Sequence, residues 1–114
     1  MVPVEPSNLL QATINSFRGI VCLLRERSAQ RELLLLIGFL IAHGYYPSIY
    51  LEIVILLVGI MLALEAINTA IEKLSDMIEP NFSPAIKEIK DLGSSSIMII
   101  LFLISVIILK MLWY

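Results

Sequence analysis

The sequence has few charged residues and little that could link its parts covalently. Only 16% of its 114 residues are Asp, Glu, Lys or Arg, whereas a soluble domain carries about 25%. Its single cysteine, Cys22, excludes an internal disulfide. Eight basic residues against ten acidic ones leave no broad basic face, which excludes a protein that grips the phosphate backbone of nucleic acid.

Apolar residues make up most of the chain and form three long segments. They account for 59% of the residues, against about 45–50% in a soluble domain. The segments cover about residues 29–46, 48–78 and 94–114. Because a helix crosses the hydrocarbon core of a bilayer in about 20 residues, each segment can span a membrane. We predict a single all-α domain over residues 1–114, a polytopic membrane protein with three transmembrane helices.

Basic residues indicate how these helices are oriented. They precede the first span and separate the second from the third, while the short loop at residues 43–48 has no Lys or Arg: the residues are Arg18, Arg25, Arg27, Arg31, Lys73, Lys87 and Lys90. Since basic loops stay in the cytoplasm, we expect a cytoplasmic N-terminus. Residues 1–11 carry no basic residue, so we also expect no cleaved secretory signal.

Two further helices are expected outside the membrane. Over residues 7–27, with Ser7 as the N-cap, apolar side chains recur every three or four positions at Leu10, Ile14, Phe17, Val21 and Leu24. This spacing predicts an amphipathic helix lying on the cytoplasmic surface of the membrane. After the prolines at 80 and 84, a separate short helix is expected at residues 85–92, ending at Gly93.

The second apolar segment ends in a stripe of oxygen-bearing side chains. They lie three, four and four positions apart, which places them on one face of a helix: Glu65, Asn68, Glu72 and Asp76. Asp76 alone is explained by a helix end that enters water. Glu65 follows the apolar run 53–64, and a carboxylate at that depth costs a few kcal/mol unless it faces a polar site. We therefore interpret Glu65 as a functional residue.

More charged residues lie at the same cytoplasmic level. Glu26 and Glu32 begin the first span, and Lys90 and Asp91 precede the third. Crowded carboxylates repel one another unless they share a cation, and oxygen ligands suit Mg²⁺, which also binds nucleotide phosphates. The pattern predicts metal and nucleotide chemistry on a lipid headgroup.

Several strings in the sequence resemble one known family. E-A-I-N-T-A-I-E at residues 65–72 and K-D-L-G-S at 90–94 are similar to the signature of the small bacterial integral-membrane diacylglycerol kinases, a family that includes undecaprenol kinases. The resemblance extends to S-F-R-G at 16–19 and E-R-S-A-Q-R-E at 26–32. It implies a multi-pass homotrimer in the bacterial inner membrane that transfers the γ-phosphate of ATP to diacylglycerol, giving phosphatidic acid. We expect the sites to be shared between subunits.

The resemblance also assigns roles to residues. Glu65 would be the general base on the lipid hydroxyl. Glu26 and Glu72 would hold Mg²⁺ with the ATP phosphates, and Asn68 would be a polar partner in that site. Lys90 and Asp91 would contact the nucleotide. Glu32 and Asp76 would support the ring that these charged residues form at the cytoplasmic level.

Three alternatives remain. The lipid could be undecaprenol, because aliphatic side chains fit either tail. A non-enzymatic small membrane protein would have no need for the polar stripe. A small transporter would place an ionisable group nearer the middle of the bilayer.

Overall fold

The computed structural model describes residues 8–113, which form four α-helices and no β-strand. They are α1 (Leu9–Leu23), α2 (Arg27–Tyr45), α3 (Ile49–Ile78) and α4 (Pro84–Trp113). Helix α3 is central and contacts each of the other three helices. The predicted all-α class is confirmed, and the helices match the predicted segments closely except at two boundaries.

The first of these boundaries is the end of α1. The helix begins after Asn8, whose side chain accepts a hydrogen bond from the backbone N–H of Gln11 at 2.8 Å. The predicted cap, Ser7, lies outside the described residues. The helix ends at Leu23 rather than near residue 27, and the side chain of Gln30 donates to the free carbonyl of Leu24 at 2.8 Å. No glycine or proline marks this end, so the rules for helix ends could not locate it.

The predicted apolar stripe of α1 has no partner within the protomer. No residue of this helix is buried, and Leu10, Phe17 and Val21 are largely exposed. Leu24 lies just past the helix end. The stripe therefore has the exposure that contact with lipid requires, and its contact with a membrane stays a prediction.

The protein core lies between α3 and α4. Val54, Val58 and Met61 follow one another at helical spacing on α3 and are almost fully buried. They pack with Ile100 and Ile104 of α4. Leu36 and Phe39 of α2 cover the same cluster from another side. Where the surroundings are lipid, close packing of these side chains, rather than their transfer out of water, holds the three helices together.

The second boundary that differs is the start of α4. The short helix predicted at residues 85–92 and the third span predicted at 94–114 form one continuous helix, so the predicted break at Gly93 is wrong. A glycine inside a helix costs only about 1 kcal/mol relative to alanine, which does not end a long helix. A side chain at this position would collide with the amide oxygen of Asn68 on α3. Gly93 therefore provides space for close helix packing, as small residues do at helix interfaces in membranes.

Two of the described helices, α3 and α4, are long and apolar enough to cross a membrane. At about 1.5 Å per residue each rises about 45 Å, which exceeds the roughly 30 Å of hydrocarbon in a bilayer. The predicted first span corresponds to α2, whose first two turns contain Arg27, Arg31 and Glu32. The arrangement with three spans stays a prediction.

The packing at Gly93 gives a first testable prediction. Gly93→Ala should displace Asn68 and break its hydrogen bond to Glu72. We expect the free energy of unfolding to fall by about 1–3 kcal/mol, the usual cost of an overpacked site. Unfolding in mixed micelles with increasing dodecyl sulfate, followed by circular dichroism, measures this change.

Gly59→Ala is the matched control, because a side chain there meets nothing within 4 Å. It should leave stability unchanged or raise it by up to about 1 kcal/mol through helix propensity. The double variant Asn68→Ala with Gly93→Ala should lose less than the two single losses added together, since the collision is gone. A Gly93→Ala protein as stable as the wild type would contradict this account.

Candidate functional site

The polar site begins where the apolar core of α3 ends. Val58, Met61, Glu65 and Asn68 follow one another at helical spacing, and all four side chains are buried. Glu65 and Asn68 are each 6% exposed. The stripe that faces α2 and α4 therefore changes from apolar to polar within one helix, and a carboxylate lies at the edge of the hydrophobic core.

The buried carboxylate of Glu65 is held by the first turn of α2. The Ser28 hydroxyl donates a hydrogen bond to Glu65 Oε1 at 2.7 Å. Ala29, next along the chain, is fully buried. Its small side chain allows the start of α2 to approach α3 closely, which brings the serine within reach of the glutamate.

A second carboxyl group lies beside the first. Glu32, one helical turn after Ser28, is 7% exposed, and its carboxyl group interacts electrostatically with that of Glu65. Its Oε1 atom is buried with no hydrogen-bond donor in the part of the chain that the structure describes. Two carboxylates this close repel each other, so the pocket favours a proton, a donor group or a cation between them.

Asn68 connects the buried pocket to the surface. Its Nδ2 atom donates to Glu72 Oε1 at 3.2 Å, and Glu72 is exposed. Its Oδ1 atom faces Gly93 and is buried without a donor from residues 8–113. The amide therefore turns its N–H toward Glu72 and its oxygen toward α4, so a cation held by Glu72 would contact this oxygen only after the amide rotates.

Ion pairs join the helices nearer the polar end of the molecule. Lys73 Nζ lies 3.8 Å from Glu26 Oε1, and Lys90 Nζ lies 2.5 Å from Asp76 Oδ1. Lys87 pairs with Asp91 within α4 at 2.7 Å. These side chains are mostly exposed, so each pair stabilises the fold by about 0–1 kcal/mol.

The structure brings together some of the predicted site residues and separates others. Glu32 lies beside Glu65, and one turn further along α3 Asn68 is hydrogen-bonded to Glu72. We call these four residues the polar cluster. Asp76 does not join it, although it belongs to the predicted stripe, because it faces Lys90 on α4 instead. The remaining three predicted residues, Glu26, Lys90 and Asp91, are occupied by ion pairs at the edge of this cluster.

A ready-made metal site is not assembled within one protomer. Between residues 8 and 113, no three His, Cys, Asp or Glu side chains come together as ligands. Mg²⁺ needs only one or two carboxylates when nucleotide phosphates and water complete its shell. The residues fit that requirement, and the assignment of Glu26 and Glu72 as its ligands stays a prediction.

Two contacts were missed by reasoning from the sequence. Ser28 precedes Glu32 by four positions and shares its helix face, which is the signal that could have indicated it. At the other end of the bundle, His43 Nε2 lies 3.3 Å from Glu52 Oε1 across the α2–α3 turn.

Comparisons with known proteins agree on one family. The model of the family described as prokaryotic diacylglycerol kinase matches residues 14–112. A diacylglycerol kinase from Sinorhizobium sp is 35% identical over 98 residues, covering 81% of this chain and 72% of the relative. One from Helicobacter pylori (strain J99 / ATCC 700824) is 33% identical over 91 residues, covering 77% of this chain and 71% of the relative.

Proposed function

Because the chain belongs to the prokaryotic diacylglycerol kinase family, we propose that it is a membrane lipid kinase using ATP. It transfers the γ-phosphate of ATP to the hydroxyl of diacylglycerol, giving phosphatidic acid and ADP. The observation that carries this proposal is the buried Glu65 carboxylate at the boundary between the apolar core and the polar cluster. A lipid alcohol and a nucleotide meet at such a boundary.

Glu65 acts as the general base in this reaction. It takes the proton of the lipid hydroxyl while the hydroxyl oxygen forms a bond to the γ-phosphorus. The bond from that phosphorus to the β,γ-bridging oxygen breaks, and ADP leaves with the electron pair. Phosphoryl transfer depends mainly on positioning and on neutralised charge, so one base and a few cationic groups are sufficient.

The nucleotide and its metal bind on the exposed side of the cluster. Glu72 and Glu26 would hold Mg²⁺, with Asn68, which is hydrogen-bonded to Glu72, as a further polar partner. When bound, Mg²⁺ neutralises charge on the ATP phosphates. Lys90 releases Asp76, and Asp91 releases Lys87, so that both can contact the nucleotide.

The position of Glu65 along α3 also supports a particular arrangement in the membrane. We propose a multi-pass protein of the bacterial cytoplasmic membrane, with α2, α3 and α4 as its spans and a cytoplasmic N-terminus. At about 1.5 Å per residue, α3 rises about 25 Å from Ser48 to Glu65. The base therefore lies near the cytoplasmic edge of a hydrocarbon core about 30 Å thick.

The active form is proposed to be a homotrimer with sites shared between subunits. In one protomer Glu72 and Asp91 are exposed, and a single wall of side chains does not enclose a nucleotide. A neighbour supplies the missing wall. Ala66, Thr69 and Ala70 on α3 line a groove against α1 within the protomer.

A transfer assay tests the lipid kinase function. Protein in mixed micelles receives ATP labelled at the γ-phosphate and either diacylglycerol or undecaprenol, the alternative substrate within this family. We expect label in phosphatidic acid. Glu65→Gln keeps the shape of the base but cannot accept the proton, so turnover should fall by about 10²-fold or more while the KM for ATP stays nearly unchanged. Label found only in undecaprenyl phosphate would show that the substrate is undecaprenol and not diacylglycerol. Wild-type turnover in the variant would exclude Glu65 as the base.

Magnesium dependence tests the proposed ligands. Glu72→Ala and Glu26→Ala should each raise the Mg²⁺ concentration needed for half-maximal activity, because each removes a negative ligand. Binding of a fluorescent ATP analogue at several Mg²⁺ concentrations measures the same loss without turnover. Glu88→Ala, at an exposed glutamate of α4, is the control. An unchanged metal requirement in both variants would place the metal elsewhere.

Subunit mixing tests the shared site. Glu65→Gln chains and Asp91→Ala chains, each inactive alone, are unfolded, combined and reassembled in micelles. If the two residues of one site come from different protomers, some mixed trimers contain an intact site and activity returns. Reassembly of each variant by itself is the control. A lack of rescue, together with a monomeric mass and full activity in the wild type, would overturn the trimer proposal.

A further inference from the structure

Ser28 occupies a position that the proposed reaction does not yet explain. Its hydroxyl lies in the first turn of α2 and donates to Glu65 Oε1 at 2.7 Å, across the interface between α2 and α3. It is the one side-chain donor that reaches this carboxylate from residues 8–113. A hydroxyl to carboxylate bond of about 2.5–2.7 Å is in the range of charge-assisted hydrogen bonds.

A general base on a glutamate needs such a contact for geometric reasons. The side chain has three rotatable bonds, and only one of its two oxygens can face the lipid hydroxyl. A bond from Ser28 to Oε1 fixes the plane of the carboxyl group and leaves Oε2 for the substrate. Orientation of a reacting group accounts for a large part of the rate that an enzyme supplies.

The neighbouring Glu32 makes this contact more important. Its carboxyl group is also buried and interacts electrostatically with that of Glu65. Ser28 and Glu32 lie one turn apart on the same face of α2, so the helix presents two groups that compete for the Glu65 carboxylate. The serine determines which oxygen of Glu65 stays fixed.

We propose that Ser28 is a positioning residue for Glu65, an inference that rests on the proposed lipid kinase function. It acts through the glutamate and touches neither lipid nor nucleotide. Its effect therefore falls on kcat and leaves the KM values for ATP and lipid unchanged. A serine that served only helix packing would alter stability and would affect an enzyme lacking the base as strongly as the wild type.

The test compares Ser28→Ala, Ser28→Thr and Ser28→Ala combined with Glu65→Gln in the labelled ATP assay. We expect Ser28→Ala to lower kcat about tenfold with both KM values within about twofold of wild type, which indicates loss of an interaction made in the transition state. Ser28→Thr keeps the hydroxyl and should restore most of the activity. Ser105→Ala, at an exposed serine of α4 that bonds only to its own helix backbone, is the control.

The double variant separates positioning from packing. If Ser28 acts through Glu65, adding Ser28→Ala to Glu65→Gln causes no further loss of kcat. A tenfold further loss in that background, or a wild-type kcat in Ser28→Ala, would overturn the inference while leaving the kinase function intact. A wild-type protein that labels no lipid would overturn the proposed function itself, and the inference with it.

Discussion

The arrangement of this protein depends on one constraint, that a single buried stripe of α3 is apolar along most of its length and polar at its end. The residues that form the core, from Val54 to Met61, are continued by Glu65 and Asn68 at the same helical spacing. Close apolar packing brings α2 and α4 onto α3, and the same approach removes a carboxylate and an amide from water. Such groups are tolerated only with hydrogen-bond partners or a ligand. Ser28 supplies such a partner to Glu65, and the absence of a side chain at Gly93 leaves room for the amide of Asn68.

Much of this could be predicted from the sequence because the signals are local. Pro47 and Ser48 define the turn between α2 and α3, and Pro80 ends the next helix, as the structure confirms. The periodicity of α3 correctly placed Glu65 and Asn68 on one face of the helix, and that face is buried. The end of α1 at Leu23 was missed because the donor to the carbonyl of its C-cap residue, Leu24, is the side chain of Gln30, which lies beyond the helix. The continuity of α4 through Gly93 was missed because a single glycine can either end a helix or lie inside one, and here it lies inside and makes room for Asn68. The Ser28 contact was missed because it joins two helices, and only the helix face that Ser28 shares with Glu32 indicated it.

The charged groups fall into two classes with different consequences for binding. Those of Glu65 and Glu32 are buried together, and two like charges in one buried site repel each other unless they share a proton or a cation. The pairs of Lys90 with Asp76 and of Lys73 with Glu26 are largely exposed, and each contributes about 0–1 kcal/mol. Under the proposed function, the lysines can leave their carboxylates for phosphate oxygens at little cost. The buried cluster holds its geometry during this exchange.

The exposed surface of the protomer also favours a site at the edge of a membrane. Large apolar side chains on α1 and on the outer face of α4 have no partner in the described part of the protein, including Leu10, Phe17, Met98 and Phe102. Water would disfavour so much uncovered apolar surface, whereas lipid accepts it. The polar cluster lies beside the charged ends of α2 and α4, where this apolar surface stops. Under the proposed function, a lipid alcohol in the bilayer is already restricted to that level, so the protein needs to orient it only over a short distance. A single carboxylate held by Ser28 would then supply much of the orientation that the reaction needs.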